Sequence, residues 1–343
     1  MSAFSSPPQT PRQEQDTVTF SSLSIESILR SFPRERLLVP PLHWTARQLE
    51  LLSCTFLDSD SNSLPFPLSP HNEVHHRSDS AEPPSSSDSQ VNSSTQGITD
   101  SSSSSPQRPD RASQSRLVRQ VRTLACGQHP AFKEAAIEAI LSASKIEQTR
   151  KHVSFRFGSL AIPMSCAVFS LPLPSSSAVR TSVPAMVYLD RKKIRSNRDD
   201  SLKYIRLPGR SARPSRAALA LYLRRIAQLT PSNPRHEPYI AALLIATAQS
   251  QQRHLARVSH VPDKFPVHVL LGDVKDKSYM TLYSADIPRV ALERLSNLRK
   301  APGLADPEIA IRLSDIPFQP YASFQERLVQ AVIPQSSGLG NQT

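Results

Sequence analysis

The chain is poor in glycine, with 8 in 343 residues, and its only tryptophan is Trp44. Few glycines leave few places where backbone can cradle a phosphate. The patterns GxSxG, GxGxxG and GxxxxGK followed by Ser or Thr are all missing, so no nucleophile elbow, dinucleotide turn or Walker loop is recognisable. Cysteine is scarce too: Cys54, Cys126 and Cys166 are odd in number and widely spaced, without a CxxC pair. They read as reduced thiols of a reducing compartment rather than as a disulfide framework or a zinc site. No apolar run approaches the roughly 18 residues of a spanning helix, and the opening MSAFSSPPQTPRQEQ lacks the apolar core of a signal peptide. A soluble protein of nucleus or cytoplasm, without membrane contact, is the expectation. Lysine is missing before Lys133, and Asp and Glu are missing throughout 151–189.

Proline, serine and arginine are what the chain has in quantity. With 31 Pro, 38% hydrophobic and 20% charged residues, the composition is too polar for one uniform globule and too apolar for full disorder. Charge divides the chain: residues 1–115 carry 8 Arg against 13 Asp and Glu, whereas 116–343 carry 33 Lys and Arg against 16 acids. Four units follow: an acidic arm over 1–57, a Ser/Pro-rich linker over 58–115, a basic domain over 116–334, and a disordered tail over 335–343. The linker has too little apolar surface to offset the entropy of ordering. Its Ser69-Pro70 and Ser105-Pro106, and Ser6-Pro7 and Thr10-Pro11 in the arm, suit proline-directed phosphorylation, although serine-rich tracts also produce such pairs by chance.

In the arm, Leu23, Ile25, Ile28 and Leu29 share a helical face; a second helix, capped by Thr45 and Gln48, would carry Leu49, Leu52, Phe56 and Leu57. Two such short helices cannot form a core alone, so they should dock with Trp44 as an anchor, onto the main domain or into a partner's groove. Beyond 116 the periods alternate. Helices are expected at 130–148, 215–229, from Pro238 through the apolar YIAALLIATA, at 289–298 and at 322–332. In the second of these, Leu219, Tyr222, Leu223 and Ile226 should face the core, with Arg216, Arg224 and Arg225 outward. Strands are expected at 152–157, 166–171, 183–189, 202–207, 308–313 and in a hairpin of 265–271 with 277–285. The fold class that results is α+β: a mixed sheet packed around a buried central helix, behind a long disordered segment.

The strongest chemical signal is electrostatic. Residues 150–225 hold 16 Lys and Arg against 3 acids. Arg191, Lys192, Lys193, Arg195, Lys203, Arg206, Arg210, Arg213, Arg216, Arg224 and Arg225 form a candidate binding face for an acidic macromolecule: nucleic acid, an acidic protein, or the chain's own acidic N-terminal arm. A solvated face or a nuclear-import segment at Arg191–Arg195 is the plainer account, and no stacking platform, zinc finger or helix-turn-helix accompanies the charge. A catalytic alternative uses Asp190 and Lys192, a D-x-K after an apolar strand, similar to PD-(D/E)xK metal-dependent nucleases, where a carboxylate holds metal and lysine polarises water. The second strand carboxylate of that pattern is missing, leaving Glu134 or Glu138 as an outer ligand; Asp273 and Lys275 repeat the spacing. His71, His75 and His76 have metal-like spacing in a proline-broken tract, and His236, His254, His260 and His268 are scattered. No cofactor and no metal is expected.

The stretches HEPYIAALLIATAQ (236–249), VHVLLGDVKDKSYMTLYSADIP (267–288) and IPFQPYASFQERL (316–328) resemble a group of filamentous-fungal proteins to which no activity is assigned. The resemblance covers about the final third of the chain and carries no catalytic residues. It implies a fungal source and an intracellular accessory role, as in a specialised-metabolite pathway.

Overall fold

The computed structural model describes residues 22–33, 38–58, 111–172, 182–206, 215–257, 261–301 and 308–333. The fold is α+β. Nine helices, α1 (Ile25–Ser31), α2 (Ala46–Leu51), α3 (Arg111–Cys126), α4 (Pro130–Ser142), α5 (Arg191–Arg206), α6 (Arg216–Leu229), α7 (Pro238–Leu255), α8 (Arg289–Ser296) and α9 (Phe324–Val332), accompany seven strands among the described residues. The strands are β1 (Cys54–Asp58), β2 (Glu147–Phe157), β3 (Leu160–Pro172), β4 (Ser182–Asp190), β5 (Lys264–Gly272), β6 (Tyr279–Pro288) and β7 (Ile309–Pro317), in the sheet order β1-β7-β6-β5-β4-β3-β2. Two pairings are parallel, β1 with β7 and β4 with β5; the other four are antiparallel.

α7 owes its central position to composition. Every residue from Pro238 to Gln251 is buried, and the helix packs on β2, β4, β5 and β6. Pro238 sits in its first turn, where the missing N–H costs nothing, and the Glu237 carboxylate caps it by accepting from Tyr239 N at 3.3 Å. β4 is buried from Val183 to Asp190 without alternation, the mark of a strand covered on both faces, and α4 packs on it as well as α7.

Both short N-terminal helices contribute to this core: Ile25, Ile28, Trp44, Leu49 and Leu51 are buried in it, and Trp44 meets Phe155 edge-to-face at 5.1 Å. The Thr45–Gln48 capping box forms. The helix stops earlier than its apolar spacing predicts, because Ser53 takes a left-handed φ of 55° and the chain continues as β1 alongside β7. Phe56 and Leu57 are therefore strand residues.

Three further expectations are corrected. Residues 202–207 are not a strand: up to Arg206 they are the last turns of α5, where Ile194 and Leu202 are buried on one side of a helix that Asp190 caps. Leu219 and Leu223 do not face the core; they are 39% and 56% exposed. α6 packs mainly on α5, where Tyr222 and Leu229, with the partly buried Ile226, join Leu202 in a small separate cluster. The helix from Pro130 also ends at Ser142, and after Lys145 at φ 60° the chain enters β2.

Candidate functional site

The carboxyl ends of β4 and β5, paired in parallel with Asp190 opposite Gly272, meet the first turn of α5. In open α/β sheets such strand ends are where ligands collect. Asp190 closes this one. Its Oδ1 accepts from Lys192 N at 2.8 Å, capping α5, and its Oδ2 lies 3.5 Å from Lys133 Nζ of α4, both side chains being 1% exposed. The Tyr188 hydroxyl lies beside it against Gly272, where an added Cβ would sit 2.7 Å from the oxygen. Tyr188 Oη and Asp190 Oδ2 are buried without a hydrogen-bond partner. Burial pushes the Tyr188 hydroxyl well above its usual range, and the charges of Asp190 and Glu134 add to this.

That arrangement explains what D-x-K does here. Lys192 contributes its backbone N–H to Asp190 while its side chain points to solvent. The ammonium facing the carboxylate belongs instead to Lys133, on an otherwise apolar helix face with Ala136, Ile137, Ile140 and Leu141. Glu134 pairs with Lys193 at 3.7 Å, and Glu138 is exposed. Asp273 forms an ion pair with Arg191 Nε at 2.8 Å, and its Oδ1 accepts from Lys275 N at 3.0 Å. No group of three or more His, Cys, Asp or Glu that could hold a metal exists among the described residues. Asp190 is a structural cap with a buried counter-ion. Lys133 was the residue the sequence concealed; its one signal was a lone lysine on an apolar stripe.

The cationic stretch divides into two populations. Arg191 is buried, tied to Asp273 and donating to the Pro234 carbonyl; Lys193 is tied to Glu134. Arg198, which charge counting alone does not distinguish, forms a buried two-pronged pair with Glu237, the shorter contact 2.7 Å, and donates to Leu42 O at 3.0 Å. These pairs fasten α5 to the α7 cap and to the N-terminal segment. Lys192, Arg195, Lys203, Arg216 and Arg224 are exposed and have no carboxylate partner among the described residues. Arg225 is half-buried with Gln228 at 3.2 Å. The Arg206 side chain, Arg210 and Arg213 lie outside the described residues, as do His71, His75, His76, His260 and the Ser-Pro and Thr-Pro pairs.

Apolar surface accompanies the unpaired cations. Tyr204, Leu219, Leu221 and Leu223 are among the exposed large hydrophobic residues, and all four lie on α5 or α6. A cavity of about 280 Å³ on the same two helices is lined by Ile194, Arg195, Asp199, Ile226, Pro231 and Pro234, with the Arg198–Glu237 pair in its wall. His236 lies elsewhere, stacked on Phe56 at 5.1 Å and 3.0 Å from Asp58, and His268 contacts Ser284 at 2.9 Å. No helix among the described residues is long and apolar enough to cross a membrane. No family model matches the chain, and no curated protein matches it.

Proposed function

We propose that this chain is a non-catalytic interaction protein of nucleus or cytoplasm that binds an acidic macromolecule on the outer face of α5 and α6. One observation carries the reading: Lys192, Arg195, Lys203, Arg216 and Arg224 stand in solvent with no carboxylate ion-pair partner among the described residues, while their neighbours Arg191, Lys193 and Arg198 are consumed by internal pairs. A field of unpaired cations steers acidic partners and loses strength as salt rises. The leucines interleaved with these cations favour an acidic protein segment over a bare phosphate backbone, because exposed aliphatic groups gain only from an apolar contact.

The test uses the full chain and two labelled probes, an oligoglutamate peptide with interspersed leucines and a single-stranded oligonucleotide, read by fluorescence anisotropy at low and high salt. Reversing Lys192, Arg195, Arg216 and Arg224 to Glu is expected to weaken the peptide about 10-fold or more and to flatten its salt dependence. Unchanged affinity for both probes after reversal sinks the reading. Tighter binding of the oligonucleotide than of the peptide would move the partner to nucleic acid.

A further inference from the structure

A second set of arginines lies on β2 and at the C-terminal end of α7, beside a buried glutamine. Gln249 of α7, 3% exposed, accepts from Arg156 N at 2.8 Å and donates to Arg156 O at 2.8 Å, which clamps strand β2 to the helix. One turn on, Arg253 Nε donates to Gln249 O at 3.1 Å. Arg257 lies two residues past the end of α7, in a turn where its N–H donates to His254 O at 3.2 Å. β2 is an edge strand that pairs with β3 alone among the described residues, and α7 lies against it.

The charges here all have one sign. None of Arg150, Arg156, Arg253 and Arg257 has a carboxylate partner among the described residues, in contrast to the paired arginines elsewhere in the molecule. The Arg253 guanidinium is held below its ordinary value, first by burial and then by the charges of Arg156, Arg150 and Arg257. The negative end of α7 offers an ordinary reason for Arg253, in its last turn. It offers none for Arg150 and Arg156, which arrive on a strand. Like charges gathered without a counter-ion repel, and a multiply charged anion placed among them removes the repulsion while matching their planar forks in pairs.

We propose that Arg150, Arg156, Arg253 and Arg257 form a site for phosphate groups, separate from the α5–α6 face. Gln249 fixes the β2 backbone at Arg156, and its backbone carbonyl holds the Arg253 guanidinium. The phosphates are those of a free polyphosphate or of a nucleic-acid backbone.

The probes are sodium tripolyphosphate, oligoglutamate of equal charge, and a labelled DNA duplex, each added to the full chain. Tripolyphosphate is expected to raise the melting midpoint and to bind about 10-fold less tightly after Arg253→Gln or Arg156→Gln. Arg253→Lys should restore part of that loss, since it returns the charge but not the fork. Arg150→Gln and Arg257→Gln, both at exposed positions, should weaken binding without disturbing the Gln249 clamp. Lys192→Glu with Arg195→Glu should leave the tripolyphosphate response intact, so loss of α5–α6 binding and loss of this site can be told apart. DNA binding that falls with the same arginine variants identifies the backbone as source, and a response confined to tripolyphosphate identifies a free polyphosphate. The proposal is overturned if the unaltered chain does not respond, if the arginine variants respond like it, or if oligoglutamate competes equally well.

Discussion

Tyr188 is held by its ring rather than by its hydroxyl, whose oxygen is buried without a partner and pressed against Gly272. Removing an unsatisfied buried hydroxyl relieves a desolvation cost, so Tyr188→Phe should stabilise the fold by about 1 kcal/mol in denaturant titration. Gly272→Ala should cost about 2 kcal/mol, because its Cβ would lie 2.7 Å from that oxygen. Combining the two should recover most of the loss; an additive double mutant would show that the collision is not what requires glycine. His268 gives a pH signature. Burial pushes it down to about 4 from 6.5; Asp286 opposes the shift and Arg312 assists it. A depressed histidine is favoured neutral in the folded state. Its contribution is therefore complete above pH 6.5 and is lost as pH falls from 6.5 towards 4. Between those limits the unaltered chain should lose about 1–2 kcal/mol more than His268→Gln, allowing for partial exposure of the ring. Equal slopes for the two proteins would contradict this.

The helices and strands were legible where one periodicity met a single environment. α7 announced itself by lacking a polar face, and β7 by its alternation of Ile309, Ile311 and Leu313. Sequence reasoning failed where distant pairing decided the outcome. Cys54–Asp58 continues an apolar helical spacing, yet it becomes a strand because Ile309–Leu313 offers a ladder. Residues 202–206 have strand-like composition, but they stay helical because α5 had already started after its Asp190 cap and Leu202 buries on the same side as Ile194. The cationic site was legible as charge only. Which arginines are consumed by Asp273, Glu134 and Glu237 depends on long-range contacts that spacing does not encode, and the meeting of Arg156 with Arg253 depends on a glutamine 93 positions away from the strand residue it clamps. α6 packs outside the main core, in a small cluster of its own around Leu202, Tyr222 and Leu229. Leu221 and Leu223 can be exchanged for Ser there with little change in the melting midpoint, within about 0.5 kcal/mol.

At the scale of the whole molecule, the N-terminal segment is part of the fold. Ile25, Ile28, Trp44 and Leu51 are almost wholly buried in the common core, and β1 covers the flank of β7. A chain beginning at Arg111 would lose those side chains and expose β7 as an uncovered edge, so it should be insoluble or bind a hydrophobic dye as the full chain does not. Soluble, cooperative unfolding of the shortened chain would show that the arm is dispensable. The same pairing sets an order of assembly. Cys54 emerges from the ribosome long before its partner Ile309, and at the usual rates of synthesis the gap is about 10–50 s. During that interval the first strand lacks its native neighbour, and the ladder forms only once residues 309–313 have been made.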